Sequence, residues 1–508
     1  MQFAQHQALE NAPFNDHFPA DFGEPPPPRL LAFLTAKQWI VGLLLSSLAI
    51  VPVYSYCTPF SGWVVAALFL TFLMLFHFVA SLGKLIPIPH IAIFTAAISY
   101  VIAPLASFYN PPSNRTYIIE QPATYFEFAC PAFCMVVLGW MTPYLWSRRP
   151  LLIPSSSNSK ETVANESTLL ILFWFGLALT LIRFLAPLPG SIAFFVTLLS
   201  HLRYVSCGAW VAAGRRDRAV LVIGVLLLEF LQSIYSSMFH EFFLWAACIF
   251  CLWVGSRAPS RLFATTILLL GVALLFPLQQ AKTRYRAALR NSIGAGDSQT
   301  GSLGMTSIGD RVDLFKKQLV DTVSENGDRA ATGRSLGDDF VRFNQGWLVA
   351  RVLSYVPNME PLAEGQTIKT ALISAALPRF VYSGKFETGG REFLRRFTGI
   401  YLGDNTSMNI GYIGELYANF GLSAGIFGCF IYALILSLSF RWVSLLSSTR
   451  SQLAGLVSFF CFRMPVAESD LTDVFNYLAK ALIVIGLLRL FFPHLFQITT
   501  PSEDTVSR

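Results

Sequence analysis

The stretch GWVVAALFLTFLMLFHFVASL, Gly62 to Leu82, runs through 21 residues without an aspartate, glutamate, lysine or arginine. A helix crosses the hydrocarbon core of a bilayer with roughly 20 apolar residues, so this run alone is long enough. Trp39 to Val53 and Leu169 to Leu185 approach or reach the same length. Outward from Gly62, about nine such stretches precede a polar segment from Leu278 to Met408, and about three follow it. The pattern predicts an all-α polytopic integral membrane protein with about 12 transmembrane helices and one large extracytoplasmic loop carrying amphipathic helices. Spans are expected near 31–51, 62–82, 88–108, 126–146, 168–187, 191–212, 218–236, 239–255, 261–277, 409–439, 452–467 and 473–495. The domains that follow are a tail (1–30), helices one to nine (31–277), the loop (278–408), helices ten to twelve (409–496) and a second tail (497–508).

Composition points the same way. The chain is 54% hydrophobic and 13% charged, against about 25% charged in soluble domains. The eight cysteines lie in or beside apolar runs and none falls in the polar segment, which argues against a disulfide framework there. Cys248 and Cys251 spell C-x-x-C within FFLWAACIFCLWV. In that setting they read as small packing residues, not as a metal or redox pair.

The first 29 residues are polar and proline-rich and lack the pattern of a cleaved signal, so they read as a disordered cytoplasmic tail. Lys and Arg in short loops accumulate on the cytoplasmic side. Lys84, Arg148, Arg149, Arg215, Arg216, Arg218, Arg257, Arg261, Arg441 and Arg450 all follow even-numbered spans or precede odd ones. Both termini are therefore expected in the cytoplasm and the large loop outside it. Spans eight and eleven are short, which marks them as the places where a re-entrant or interfacial segment would replace a crossing. No matched pair of Gly/Pro-broken helices in two halves suggests a secondary transporter.

Ionisable groups inside spans are expensive and are functional hypotheses by default. Here they are Arg183, Arg203, Glu229 and Glu415, with His240 and Glu241 at the mouth of span eight. One reading is structural: Arg203 pairs with Glu229 and Arg183 snorkels to the interface. The other is a polar chamber beneath the loop, with arginine forks suited to phosphate oxygens.

From Lys282 to Asp404 the loop holds 17 Lys and Arg against 13 Asp and Glu. Basic clusters flank the membrane at Lys282, Arg284, Arg286 and Arg290 and again at Arg379, Lys385, Arg391, Arg395 and Arg396. They suit anionic headgroups or an anionic substrate. Within the loop, Leu336 to Val356 shows helical spacing of Leu336, Phe340, Phe343, Trp347 and Leu348, with Asp338 and Asp339 near its start. Ile368 to Leu377 is a second apolar run. Both fit surface helices forming a lid.

No Walker A loop, dinucleotide fingerprint, H-E-x-x-H, G-x-S-x-G or first-loop D-x-D is evident, and the basic balance of +7 needs no nucleic-acid module. No metal and no cofactor is expected.

The end of the loop reads AALPRFVYSGK (Ala375 to Lys385), followed by GDNTSMNIGYIGELYANFGLSAGIFGCFIYA (Gly403 to Ala433). This resembles the Wzy-type bacterial oligosaccharide repeat-unit polymerases, related to O-antigen polymerases and ligases. The matching residues are Pro378, Arg379, Lys385, Gly414, Glu415, Tyr417, Asn419, Phe420 and Gly421, under a tenth of the chain. Read without the resemblance, Gly411, Gly414, Gly421 and Gly425 make a thin helix face for close packing, which leaves Glu415 unexplained.

The resemblance implies a glycosyltransferase of the bacterial inner membrane, acting on polyprenyl-pyrophosphate-linked oligosaccharides for exopolysaccharide or O-antigen. Flippase and chain-length regulator proteins would be its partners. A sugar hydroxyl of one lipid-linked unit would attack the anomeric carbon of another, and the pyrophosphate leaves without needing an acid. Glu415 is the first candidate base, with His240 and Glu241 as rivals. Arg203 and Arg379, then Arg183 and Arg284, with Lys385, are the candidate pyrophosphate ligands. A ligase, a lipid-linked oligosaccharide transporter and an assembly scaffold are the alternatives.

Overall fold

The computed structural model describes residues 36–84, 86–146, 166–185, 190–236, 239–294, 308–326, 336–376, 390–403, 408–445 and 450–496, and among these it is built of helices without strands. Inside a bilayer each backbone N–H and C=O must find its partner within the protein, and a helix does so within one segment. The apolar runs therefore become α1 (Ala36–Cys57), α2 (Gly62–Ala80), α3 (Ile88–Ala97), α4 (Ala103–Tyr109), α5 (Pro122–Trp146), α6 (Glu166–Leu185), α7 (Gly190–Ser200), α8 (Leu202–Ala212), α9 (Ala219–Ser236), α10 (His240–Arg257) and α11 (Arg261–Gly294). After α12 (Ile308–Asn326), α13 (Leu336–Phe340), α14 (Gly346–Tyr355), α15 (Gln366–Ala376) and α16 (Arg391–Thr398) come α17 (Gly411–Leu445), α18 (Arg450–Cys461) and α19 (Leu471–Phe491).

Ten helical stretches among the described residues are long and apolar enough to cross a membrane, where the sequence suggested about twelve. The two that fall outside are the short ones, α10 and α18. At 1.5 Å per residue the 12 residues of α18 extend about 18 Å, well under the roughly 30 Å of a hydrocarbon core. The 18 residues of α10 begin with His240 and Glu241 and end with Arg257, which shortens the apolar stretch between them.

Close backbone approaches set the packing. A Cβ added at Gly139 of α5 would press on the backbone of Phe430 and Leu434 in α17, and one at Gly455 of α18 would overlap the Val205 carbonyl of α8. Small residues at such crossings let helices gain van der Waals contact where lipid offers no hydrophobic drive. All eight cysteines are buried thiols, and Cys248 and Cys251 contribute to the apolar interior as their setting implied.

Among the described residues four interruptions of the apolar helices stand out, each with paired backbone. A π-helical turn, Ile98–Ile102, joins α3 to α4. Such a turn displaces carbonyls from the helical ladder. Here the Ser99 carbonyl accepts from the Gln345 N–H (3.1 Å) and the Tyr100 carbonyl from the Tyr125 hydroxyl (2.7 Å). His201 separates α7 from α8. Within α17, Gly421 adopts φ 71°, ψ −159°, a region open essentially to glycine alone. The chain turns so sharply there that Gly425 and Gly428 pack back onto Leu416. Carbonyls 418 and 419, just before the turn, accept from the N–H groups of Ala363 and Glu364 at 2.9 and 3.0 Å. The expected span 409–439 is thus a helix of residues 411–420 folded against a longer one of 422–445. The fourth interruption is the 462–470 segment between α18 and α19.

The described residues of the polar segment pack against the other helices. Its basic start is not a loop: α11 runs unbroken through Lys282, Arg284, Arg286 and Arg290. The cluster Ile234, Phe239, Ala281, Tyr285, Leu289 and Phe315 fastens it to α9 and α12. Leu336 to Val356, expected as one helix, is two, because the break at 341–345 carries the polar ties to the π turn region. The Asn344 amide donates to the Ser107 hydroxyl (3.1 Å), beside the Gln345 bond already described. Asp338 accepts from both the N–H and the hydroxyl of Ser113, each at 2.8 Å. The run at 368–377 appears as α15, which packs against α19. A second apolar cluster, including Leu348, Val352, Leu394, Phe397 and Ile410, binds α14 and α16 over the start of α17.

Gly421→Ala is expected to destabilise the protein by about 1–3 kcal/mol, the strain of a side chain in that backbone region. Gly224→Ala on α9, where an added Cβ meets open space, is expected to be neutral or slightly stabilising. Thermal unfolding of the purified protein in detergent compares the two.

Candidate functional site

The residues Arg463 to Asp473 link α18 to α19 and carry a group of polar contacts. Asp470 is the N-cap of α19, its side chain accepting from the Asp473 N–H (2.7 Å). Asp473 in turn receives the Arg463 Nε–H (2.6 Å) and the Ser469 hydroxyl (2.9 Å). Carbonyls of the same segment are captured by neighbouring helices: Ala467 by the Tyr100 hydroxyl (2.6 Å) and Pro465 by the Thr95 hydroxyl. Irregular backbone at this depth is tolerated only when buried and paired in this way.

Arg463 also reaches α10. Its Nη1 lies 3.2 Å from His240 Nε2. A guanidinium can only donate, so Nε2 accepts and the imidazole carries its proton on Nδ1. Glu241 sits 3.7 Å from His201 Nε2 and 3.9 Å from His240 Nε2. Lys282 of α11 is within electrostatic reach of His240, Glu468, Arg286 and Arg342. Two of the three sequence-derived acid–base candidates, His240 and Glu241, therefore belong to one charged cluster.

Glu415 occupies the neighbouring position. It is fully buried, and both of its oxygens are engaged: the Thr367 hydroxyl donates to Oε1 (2.7 Å) and the Leu471 N–H to Oε2 (2.8 Å). Thr367 itself accepts from the Asn419 amide (2.7 Å), which also donates to the Glu415 carbonyl (2.8 Å). Asp470 is close enough to act on Glu415 electrostatically. One carboxylate thus joins α15, α17 and α19.

Thr367, which donates to this carboxylate, lines a cleft of about 120 Å³ together with Gln366, Thr370, Thr472, Glu392, Phe393 and Arg396. Arg396 is held by Glu360 (2.6 Å) and the Gln366 side chain (2.9 Å). What this can do chemically is take a hydroxyl proton through Thr367 to Glu415 while a guanidinium faces the same space.

The remaining predicted residues fall elsewhere. Arg203 is buried on α8 and both terminal nitrogens of its guanidinium are engaged: Nη2 lies 2.6 Å from Glu229 Oε2, and Nη1 donates to Thr180 (2.6 Å) and to the Ser200 carbonyl (2.7 Å). Tyr204 donates to the same Glu229 oxygen (2.7 Å). The ion pair weighed as the structural reading of Arg203 is therefore present. Arg183 stands half-buried in the last turn of α6, with no hydrogen bond or ion pair to the other candidates among the described residues. Arg284 lies on α11 two positions beyond Lys282. Arg379 and Lys385 lie outside the described residues.

Sequence reasoning passed over Thr367, Arg463, Ser469 and Asp473. Arg463 falls inside the expected span 452–467, so the rule that singled out the other intramembrane charges also applies to it. Thr367 carries no such signal, because a threonine on a helix is unremarkable until its partner is known.

Arg203→Ala is expected to cost about 3–5 kcal/mol of stability, since it leaves Glu229 buried without its counter-charge. The double variant Arg203→Met/Glu229→Met is expected to recover most of that loss. Thermal unfolding reads both, and an undiminished Arg203→Ala protein would count against the structural assignment.

Compared with models of protein families, with curated proteins and with solved structures, the chain matches none.

Proposed function

We propose that this protein is an integral membrane glycosyltransferase that polymerises polyprenyl-pyrophosphate-linked oligosaccharide repeat units at the outer face of a bacterial cytoplasmic membrane. The observation that carries the reading is Glu415: a buried carboxylate on the Gly-Glu-x-Tyr-x-Asn-Phe-Gly stretch, fixed by Thr367 and the Leu471 N–H immediately behind a cleft that contains Arg396. Packing accounts for the glycines of that stretch and not for the carboxylate.

In this reading a hydroxyl of the acceptor sugar enters the cleft and donates to Thr367 Oγ1. As the hydroxyl oxygen bonds to the anomeric carbon of the donor, its proton passes to Thr367 while the Thr367 proton passes to Glu415. The bond from the anomeric carbon to the pyrophosphate oxygen breaks, and the electron pair leaves with the pyrophosphate. Glu415 then returns the proton to Thr367 as Thr367 gives its own to water in the cleft. Arg396 stabilises the charge that develops on the leaving group, and the resemblance adds Arg379 and Lys385 to that task. The Arg463–Asp473 pair and the Asp470 cap act by positioning the first turn of α19, from which the Leu471 N–H reaches Glu415.

In a strain lacking the gene, lipid-linked glycans are expected to accumulate as a single repeat unit, and wild-type protein restores a ladder on gels. Glu415→Gln and Thr367→Val are expected to leave the single unit unpolymerised at normal protein levels. Arg396→Ala is expected to slow ladder formation about 100- to 1,000-fold, as loss of one donor to developing charge does. A full ladder in the null strain that fails only to reach its final acceptor would replace polymerisation with ligation or export.

A further inference from the structure

The cleft at Thr367 is one of three that share lining side chains. Arg396 and Glu392 also line a larger cavity of about 500 Å³, together with Arg351, Tyr355, Glu360, Arg395, Gly399 and Tyr401. Arg351 in turn lines a third, of about 240 Å³, bounded by Arg115, Glu120, Gln121 and Trp347. The shared side chains set the three side by side, from α15 and α19 past α16 and α14 to the segment before α5.

We infer that the three cavities together form a continuous track that binds an oligosaccharide, with one end at Thr367, in front of Glu415, and the other at Arg115. Three properties select that ligand. The middle cavity alone falls in the range that holds a ligand of several rings, about 300–1,000 Å³. Among the described lining residues the charges are nearly balanced: Arg115, Arg351, Arg395 and Arg396 are set against Glu120, Glu360 and Glu392, and Arg396 is already bonded to Glu360. A track for a polyanion or for phospholipid headgroups would not carry three glutamates along its length. A chain of sugars, by contrast, presents hydroxyls that both donate and accept, and Arg, Glu and Gln side chains supply acceptors and forked donors for them. The third property is an aromatic ring without burial. Tyr401 is 79% exposed at the edge of the middle cavity, with the Arg395 guanidinium 5.8 Å from its ring. A flat apolar face bearing a polar tip, standing in water beside the track, suits the C–H face of a sugar ring.

The proposal rests on the glycosyltransferase reading only in identifying the oligosaccharide as the substrate glycan. The track is anchored by structure that its exposed members do not support. The Arg351 Nε–H donates to the Thr398 carbonyl (3.0 Å) and Trp347 belongs to the apolar cluster beneath, whereas Arg115, Arg395 and Tyr401 are exposed. The last three are therefore the residues to change.

The probe is the repeat-unit oligosaccharide released by mild acid from the lipid-linked glycans of the host cell and labelled at its reducing end. Its binding to the purified full-length protein in detergent is measured by fluorescence anisotropy. Wild-type protein is expected to bind it. The triple variant Arg115→Ala/Arg395→Ala/Tyr401→Ala is expected to bind about tenfold more weakly or worse with unchanged thermal stability. Glu415→Gln is expected to bind as wild type does. Absence of binding, or binding that the triple variant retains in full, overturns the track. A Glu415→Gln protein that still builds a ladder, with oligosaccharide binding lost only in the triple variant, overturns the catalytic reading and leaves the track standing.

Discussion

Every polar backbone group that leaves the helical ladder in this bundle has to be paired by the protein itself, because lipid offers no substitute. The four interruptions show how that requirement shapes the molecule. Carbonyls released by the π turn are taken by Gln345 and Tyr125, those before Gly421 by the N–H groups of Ala363 and Glu364, and those of the 462–470 segment by Thr95 and Tyr100. In two of these cases the partners come from the long polar segment. That segment is consequently part of the bundle's hydrogen bonding, and its helices are set in place by the same bonds that make the broken spans tolerable.

The same requirement concentrates polar groups where the breaks occur. Around the turn before α19, one aspartate caps a helix, another holds an arginine, and that arginine meets a histidine from α10. Glu415 extends the pattern to α15 and α17. A carboxylate that accepts from a backbone N–H and a threonine hydroxyl is held in one position and one orientation, and catalytic groups gain from such rigidity. Arg203 shows the other use of buried charge. Through its bonds to Glu229, Thr180 and Tyr204 it ties α6, α8 and α9 together.

The sequence makes the helices legible because hydropathy is a local property. Gly62 to Leu82 reads as a span with no knowledge of its neighbours, and the short stretches later seen as α10 and α18 stand out by length alone. Glu415 is legible for a related reason: a carboxylate within an apolar run is anomalous where it stands. The partners are not. Thr367 lies 48 residues before Glu415 and Leu471 lies 56 after it, while His240 and Arg463 are 223 apart. Such pairs are fixed by how the helices pack, and no window of sequence contains both members. The fold at Gly421 hid for a different reason: either side of that glycine is a good helix, so periodicity continues through a point where the backbone reverses.

The bond between Glu415 and Leu471 also imposes an order on biogenesis. Chains are made from the N-terminus at about 5–20 residues per second, so the 56 positions separating the two residues correspond to roughly 3–11 s of synthesis. During that interval the carboxylate of α17 can be met by Thr367, which is already made, and not by the N–H of α19, which does not yet exist. The pocket beside Glu415 is thus completed from its last wall inward, when α19 reaches the bundle, and a ribosome halted before that point leaves the earlier spans beside an unfinished site.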